Sequence, residues 1–248
     1  IRTPLTVLAG FVETLQTLKL NPQEQDNYLA LMATQAQRMQ SLVDDLLTLS
    51  RLEGSPIPGF TYHLALSQLM DACQSEAQQL SHMLYQDKIA QVIVFETDPA
   101  IKDSLLLGEP RELQSALSNL VSNAVRYTPQ GGRIEVHAFI STDGSLNLQV
   151  KDTGTGIPPE HLPRLTERFY RVDRSRSRES GGTGLGLAIV KHVMQRHGGQ
   201  LEIASIAGQG SCFTLVLPAS RYKIELTLAK RTLDSTDDSQ FIELLRVE

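Results

Sequence analysis

The chain has 248 residues, room for one large domain or a small one joined to a medium one, and with 41% hydrophobic and 21% charged residues it is expected to fold. A net charge of -5 argues against a general nucleic-acid binder, and the absence of an 18-residue apolar run or a signal peptide argues that this stretch neither spans a membrane nor carries an export signal. Cys73 and Cys212 lie far apart without metal-like companions, which suits free thiols in a reducing cytosol.

The first stretch reads as helix. Leu5, Leu8, Phe11, Val12, Leu15 and Leu18 recur at steps of three and four and form one apolar stripe. Asn21-Pro22 breaks the pattern and can start a second helix, whose stripe runs through Tyr28, Leu31, Met32, Met39, Leu42, Val43, Leu46 and Leu47. Two long helices and a short turn make a hairpin over residues 1–53. One hairpin cannot cover both stripes, so pairing with a second copy as a four-helix bundle is expected; docking of the stripes on the rest of the chain is the alternative.

The turn-rich run Gly54-Ser-Pro-Ile-Pro-Gly59 is the expected linker, residues 54–59, and a hinge over 53–59 is expected there. Beyond it a domain is expected over 60–218. Its predicted elements are a short strand over 60–64, a helix over 66–84, a strand over 92–96 and a helix over 109–127. Strands over 133–140 and 146–151 follow around the turn at 142–145. After a long irregular stretch to about Thr183 come a helix to about Arg196 and strands over 200–205 and 212–217. Helices on one mixed or antiparallel sheet give a two-layer α/β sandwich, so the whole is α+β. Residues 219–248 form an extension without an assigned role, with strand-like alternation from Arg221 to Lys230 and a short helix over 239–246.

Four segments carry chemistry. In Asn119-Leu-Val-Ser-Asn123-Ala-Val-Arg126-Tyr127, the four numbered residues share one helix face. An amide oxygen is a neutral hard ligand for Mg²⁺, Arg126 can meet phosphate, and Tyr127 offers a ring to a base; a solvated polar face is the plain alternative. Asp152-Thr-Gly154-Thr-Gly156 ends a strand, where a carboxylate can accept from an exocyclic amine and the glycines permit close approach, although an ordinary Asp-Gly turn has the same look. Glu167-Arg-Phe169-Tyr170-Arg171, with Arg174, Arg176 and Arg178 behind it, lies in a stretch long enough to be a lid. Phe169 is expected to pin that lid to the body while the arginines meet phosphate. Gly181-Gly182-Thr183-Gly184-Leu185-Gly186-Leu187 opens a helix whose free N–H groups bind phosphate. Its register is not that of a dinucleotide fingerprint, and no lysine directly follows a glycine, which excludes a P-loop.

Taken in order, these segments resemble the N box, first glycine box, F box and second glycine box of sensor histidine kinases, whose ATP site has the Bergerat fold shared with gyrase, Hsp90 and MutL. Ile1-Arg-Thr-Pro-Leu5 is similar to the tail of that family's His box, and Leu42-Val-Asp-Asp-Leu-Leu47 to its second hairpin helix. The wording over 167–173 and 182–191 is similar to phosphate-regulon sensors. The resemblance covers about residues 1–218.

It implies a protein-histidine kinase that binds ATP and Mg²⁺. Asn123 would be the Mg²⁺ ligand with Asn119 beside it, and Arg126 and Arg171 would lie near the phosphates. Tyr127 would flank the adenine, Asp152 would read its amine, and Gly154, Gly156, Gly182, Thr183, Gly184, Leu185 and Gly186 would shape the walls. Thr3 falls where the family's phosphatase motif has its polar residue. The implied partners are a second copy through residues 1–53 and a response-regulator receiver domain. The implied location is the cytoplasm, with membrane contact only through parts outside this chain. The family's acceptor His and adjacent Glu fall before Ile1, and His63, His82, His137, His161, His192 and His197 lack the flanking residues and read as structural or surface groups. The chain as it stands is therefore expected to bind ATP without phosphorylating itself. The alternative is a dimerising module that binds ATP and regulator and does no chemistry in this form. A gyrase-type ATPase is disfavoured because its glutamate base is replaced by Asn119.

Overall fold

The computed structural model describes residues 2–85, 89–172 and 182–224, and the side chains from residue 5 onward. Helix α1 spans Arg2–Thr17 and α2 spans Pro22–Gly54. The second start is fixed by a reciprocal cap: the Asn21 side chain accepts from Glu24 N at 2.8 Å, and Asn21 N donates to the Glu24 carboxylate at 2.9 Å. At 1.5 Å per residue, α2 is about 50 Å long. Phe11 meets Tyr28 edge-on at 5.8 Å between ring centroids, which sets the register of the hairpin.

The body follows with β1 (His63–Ala65), α3 (Leu66–Leu84), β2 (Val92–Thr97), β3 (Ser104–Leu107) and α4 (Pro110–Tyr127). It continues with β4 (Arg133–Ile140), β5 (Leu146–Asp152), α5 (Gly186–Arg196), β6 (Gln200–Ile206), β7 (Gly210–Leu217) and β8 (Tyr222–Ile224). The main sheet has the order β2-β4-β5-β7-β6; β2 and β4 run parallel and the other neighbours antiparallel. Helices α3, α4 and α5 pack on it. Alternation explains the layering: Ile134, Val136 and Ala138 of β4 are buried, and meet Leu113, Leu117, Leu120 and Val121 of α4 and Ile189, Val190 and Val193 of α5 in one core.

The main sheet carries the three helices, and β1, β3 and β8 add a separate three-stranded antiparallel sheet that the expectation did not include. The packed body also runs past 218: Tyr222 pairs with Leu106, and Arg221 is only 6% exposed. The strand-like alternation after Arg221 is realised through Ile224, while residues 225–248, including the helix expected over 239–246, lie outside the described residues. Among the described residues no helix is long and apolar enough to cross a membrane.

Candidate functional site

Helix α4 is the spine of the site. Its last residue, Tyr127, is 46% exposed, and its carbonyl accepts from Thr155 N at 3.4 Å, so the first segment abuts the second. Toward the other end of the same face, a Cβ on Gly186 would stand only 2.5 Å from Asn119 Oδ1, so the first segment also abuts the fourth. Asn119 and Tyr127 are eight residues apart, about 12 Å along the helix. Asn123 lies between them, half-buried, its side chain without a hydrogen bond to another described residue, and Arg126 is exposed.

Asp152 closes β5 and is 6% exposed. Its Oδ1 accepts from Gly154 N at 2.8 Å. Burial pushes its carboxyl above the usual carboxylate range, and the backbone N–H groups of Gly154 and Ser211 oppose that rise. The loop after it returns over the β6–β7 turn, where Gly208 N donates to Thr155 O at 2.7 Å. Gly156 is required there: its φ is +62°, and a Cβ would fall 1.9 Å from Ile206 O.

The third and fourth segments meet through backbone. Phe169 N donates to Gly184 O at 2.9 Å, and the Arg171 guanidinium donates to Gly182 O. Phe169 holds its segment to Gly184 through the main chain, at φ +63°, and the residue as a whole is 55% exposed. Leu185 is buried at the entry to α5, and no side chain caps that helix, which suits its first-turn N–H groups to an anion.

Thr183 departs from a simple site reading. Its hydroxyl donates to Asp45 of α2 at 2.6 Å and accepts from Leu185 N at 3.2 Å. Burial raises the Asp45 carboxyl above its ordinary value, the Thr183 hydroxyl lowers it, and neighbouring Asp44 adds to the rise. Further along α2, Glu53 meets Arg168 and lies 3.5 Å from His192 Nε2, and Leu49 and Leu52 are buried in the body's core. Asp45, Glu53 and Arg168 gave no signal as site residues in the sequence, because contacts between distant segments leave no spacing to read.

Thr3 lies on α1; its side chain, Gly181, Arg174, Arg176 and Arg178 are outside the described residues. Among the histidines, His197 is fully buried, accepts from Glu109 N on Nε2 at 3.2 Å, and lies 2.8 Å from Val193 O through Nδ1. That pattern requires the neutral ring, and burial lowers its pKa below 6.5. His161 Nδ1 lies 2.7 Å from Tyr170 Oη. His137 Nε2 lies 2.9 Å from Asp98 Oδ1.

Asn123 could offer one neutral oxygen to a magnesium ion, and no group of three or more His, Cys, Asp or Glu able to hold a metal by itself occurs among the described residues, so most of such an ion's ligands would have to come from a polyphosphate and water.

Residues 1–55 match the family described as "His Kinase A (phospho-acceptor) domain", and residues 108–221 match "Histidine kinase-, DNA gyrase B-, and HSP90-like ATPase". The chain is 48% identical over 216 residues to the phosphate regulon sensor protein PhoR of Pseudomonas aeruginosa, covering 86% of this chain and 46% of that protein. It is 36% identical over 220 residues to the sensor-like histidine kinase SenX3 of Mycobacterium tuberculosis, covering 88% and 51%. The chain spans about half the length of the curated relatives it matches. Among solved structures it resembles full-length ShkA in complex with AMPPNP, with a TM-score of 0.64 and 26% identity over 88% of this chain and 43% of that one. Acinetobacter baumannii histidine kinase AdeS shares the fold, with a TM-score of 0.61 at 20% identity over 88% and 96%.

Proposed function

Because the chain belongs to the sensor histidine kinases, of the phosphate-regulon-like kind, we propose that it is their ATP-dependent kinase core, and that in the intact protein it phosphorylates a histidine just upstream of Ile1 and passes the phosphoryl group to an aspartate of a response regulator. ATP would lie along α4, its adenine between Tyr127 and the loop Gly154–Gly156 and its amine against Asp152. Its phosphates would reach the entry to α5 at Gly184, Leu185 and Gly186, near Arg126 and Arg171. Asn123 would hold Mg²⁺, which when bound neutralises charge on the phosphates. Phosphoryl transfer needs little covalent help from protein, so positioning and charge neutralisation are the chain's main contributions.

The observation that carries this reading is the contact of Thr183 with Asp45. With Phe11 opposite Tyr28, the position on a continued α1 level with Asp45 is about seven residues before Ile1, at 1.5 Å per residue. A histidine two residues before Ile1 would then lie within about 8 Å of that level along the axis. The glycine segment thus docks on the hairpin close to the height at which the acceptor is expected. Exposed Leu5, Val12, Leu31, Val43 and Leu47 support dimerisation through residues 1–53. Thr3, near the start of α1, would hold the attacking water in the reverse, phosphatase reaction. The chain itself would act in the cytoplasm, and any membrane anchor would lie in other parts of the parent protein.

The test is incubation with γ-labelled ATP. A chain extended upstream through the His box should acquire acid-labile label, and the chain from Ile1 should bind ATP without acquiring it. Acid-labile label on the shorter chain would place the acceptor among its six histidines and refute the assignment.

A further inference from the structure

Residues 52–59 join hairpin to body, and their backbone carbonyls are gripped from the body by two guanidinium groups. Arg196, the last residue of α5, donates from Nη1 to Leu52 O and Ser55 O and from Nη2 to Pro56 O, each at 2.8 Å. The same group forks onto Glu112 of α4, with Nε to Oε2 and Nη2 to Oε1 both at 3.0 Å. That fork fixes the guanidinium plane, and the two side chains are only 11% and 15% exposed. Arg221 donates from Nη1 to Pro58 O at 3.1 Å and Gly59 O at 3.2 Å, and from Nε to His197 O at 2.9 Å. Its guanidinium lies 4.3 Å from the centroid of the Phe60 ring. The carbonyls of residues 52, 55, 56, 58 and 59 are therefore all engaged. Pro56 and Pro58 stiffen the run further by fixing φ, and Leu52 is buried in the core of the body.

A segment held in this way is part of the body and not the hinge that its Pro- and Gly-rich composition suggests. Resting on the kinase reading above, we propose that Arg196 and Arg221 are positioning residues for the phosphotransfer: they fasten residues 52–59 to the catalytic body, so that its orientation toward α1 is set and any swing occurs within α2, before Leu52. Arg196 stands at the opposite end of α5 from Gly186, and neither arginine contacts the proposed adenine or metal residues. Loss of the grip should therefore spare nucleotide binding. It should slow transfer, because a freed eight-residue tether spreads the bound phosphate over a larger volume and lowers its effective concentration at the acceptor.

The experiment uses the chain extended upstream through the His box, with Arg196→Gln, Arg221→Gln and the milder Arg196→Lys, which keeps the charge but cannot fork onto Glu112. The two Gln variants should transfer at least about tenfold more slowly from saturating Mg-ATP, with ATP affinity within about twofold of the parent. Chymotrypsin should cut after Phe60 at least about tenfold faster in them, because cleavage follows the population of the opened linker. Arg196→Lys should fall between parent and Arg196→Gln. Unchanged transfer in all three variants, whether or not cleavage quickens, overturns the proposal. So does a transfer loss matched by an equal loss of ATP affinity, since a general structural defect would give that result. A parent chain that transfers nothing refutes the kinase reading and this role with it; the nucleotide-independent cleavage comparison tells that failure apart from a linker that was never held.

Discussion

In the hairpin, Leu5, Val12, Leu31 and Leu47 remain 38% to 51% exposed, whereas in the body Leu117, Leu120, Ile134 and Leu148 are all at 1% or less. Both regions are amphipathic, so the difference comes from layers. A helix pair buries one side of each stripe against the other and leaves the rest in water; a sheet with three helices on it has a core between two layers. Much of the hairpin's apolar stripe is therefore left for the second copy proposed above, and among the described residues its buried members, Leu49 and Leu52, lie at its end, where they enter the core of the body.

The largest expected effect is in the body. Leu117→Ala, at a fully buried site, should destabilise the body by about 2–5 kcal/mol in denaturant unfolding; a loss below about 1 kcal/mol would mean that the core described here is not where stability resides. Leu31→Asp sharpens the contrast. It should leave the body's unfolding midpoint unchanged while weakening the dimer, because a leucine contributed by each copy stabilises the pairing by about 1.5–3 kcal/mol. Two such residues correspond to about 100-fold or more in dissociation constant by sedimentation. A parent chain that sediments as a monomer would break the comparison.

Smaller is the pH dependence of the body. His197 is held neutral with its pKa below 6.5. Once the pH falls below 6.5, the unfolded chain takes up a proton that the folded one refuses, so stability present at neutral pH is lost on acidification, at up to about 1.4 kcal/mol per pH unit. Asp45 and Asp152, whose raised values act with the opposite sign from 3.8 upward, are common to parent and variant. The slope between pH 7.5 and 5.5 should therefore be shallower in His197→Gln by that amount; equal slopes would reject a buried neutral imidazole. Smallest is Asn21→Ala, which removes the α2 cap and should cost about 1 kcal/mol, read as lost hairpin helicity in circular dichroism with the body's transition unmoved.

The two regions also differ in how far their sequences disclose them. The hairpin is legible because Leu and Phe recur at three- and four-residue steps and Asn21-Pro22 marks the second start, with Glu24 completing the cap. The main sheet is legible because β4 and β5 alternate around a turn. The small sheet is not. Its strands are three or four residues long, too short for alternation to show, and Ser104–Leu107 reads as a plain apolar run. In the site, Asp152 and the glycines stand in an ordered set of motifs, but that Phe169 holds its segment through the main chain is not legible, because a positive φ is invisible in sequence. The Asp45–Thr183 contact and the grip of Arg196 and Arg221 on carbonyls could not be read at all, since a carbonyl acceptor belongs to every residue and leaves no pattern.

The central claim is that the segments around Asn123, Asp152 and Gly186 form one Mg-ATP site on α4. Titration calorimetry of the chain with ATP, with and without Mg²⁺, tests it most directly when paired with Asp152→Asn, which keeps size and an acceptor for Gly154 N but turns a donor toward the adenine amine, and with Asn123→Asp. The account predicts Mg-dependent binding by the parent, a loss of about 10- to 100-fold for Asp152→Asn, as expected for a hydrogen bond to a charged group, and an altered Mg²⁺ dependence for Asn123→Asp. Affinity unchanged in both variants, in proteins whose unfolding midpoints match the parent's, would contradict it.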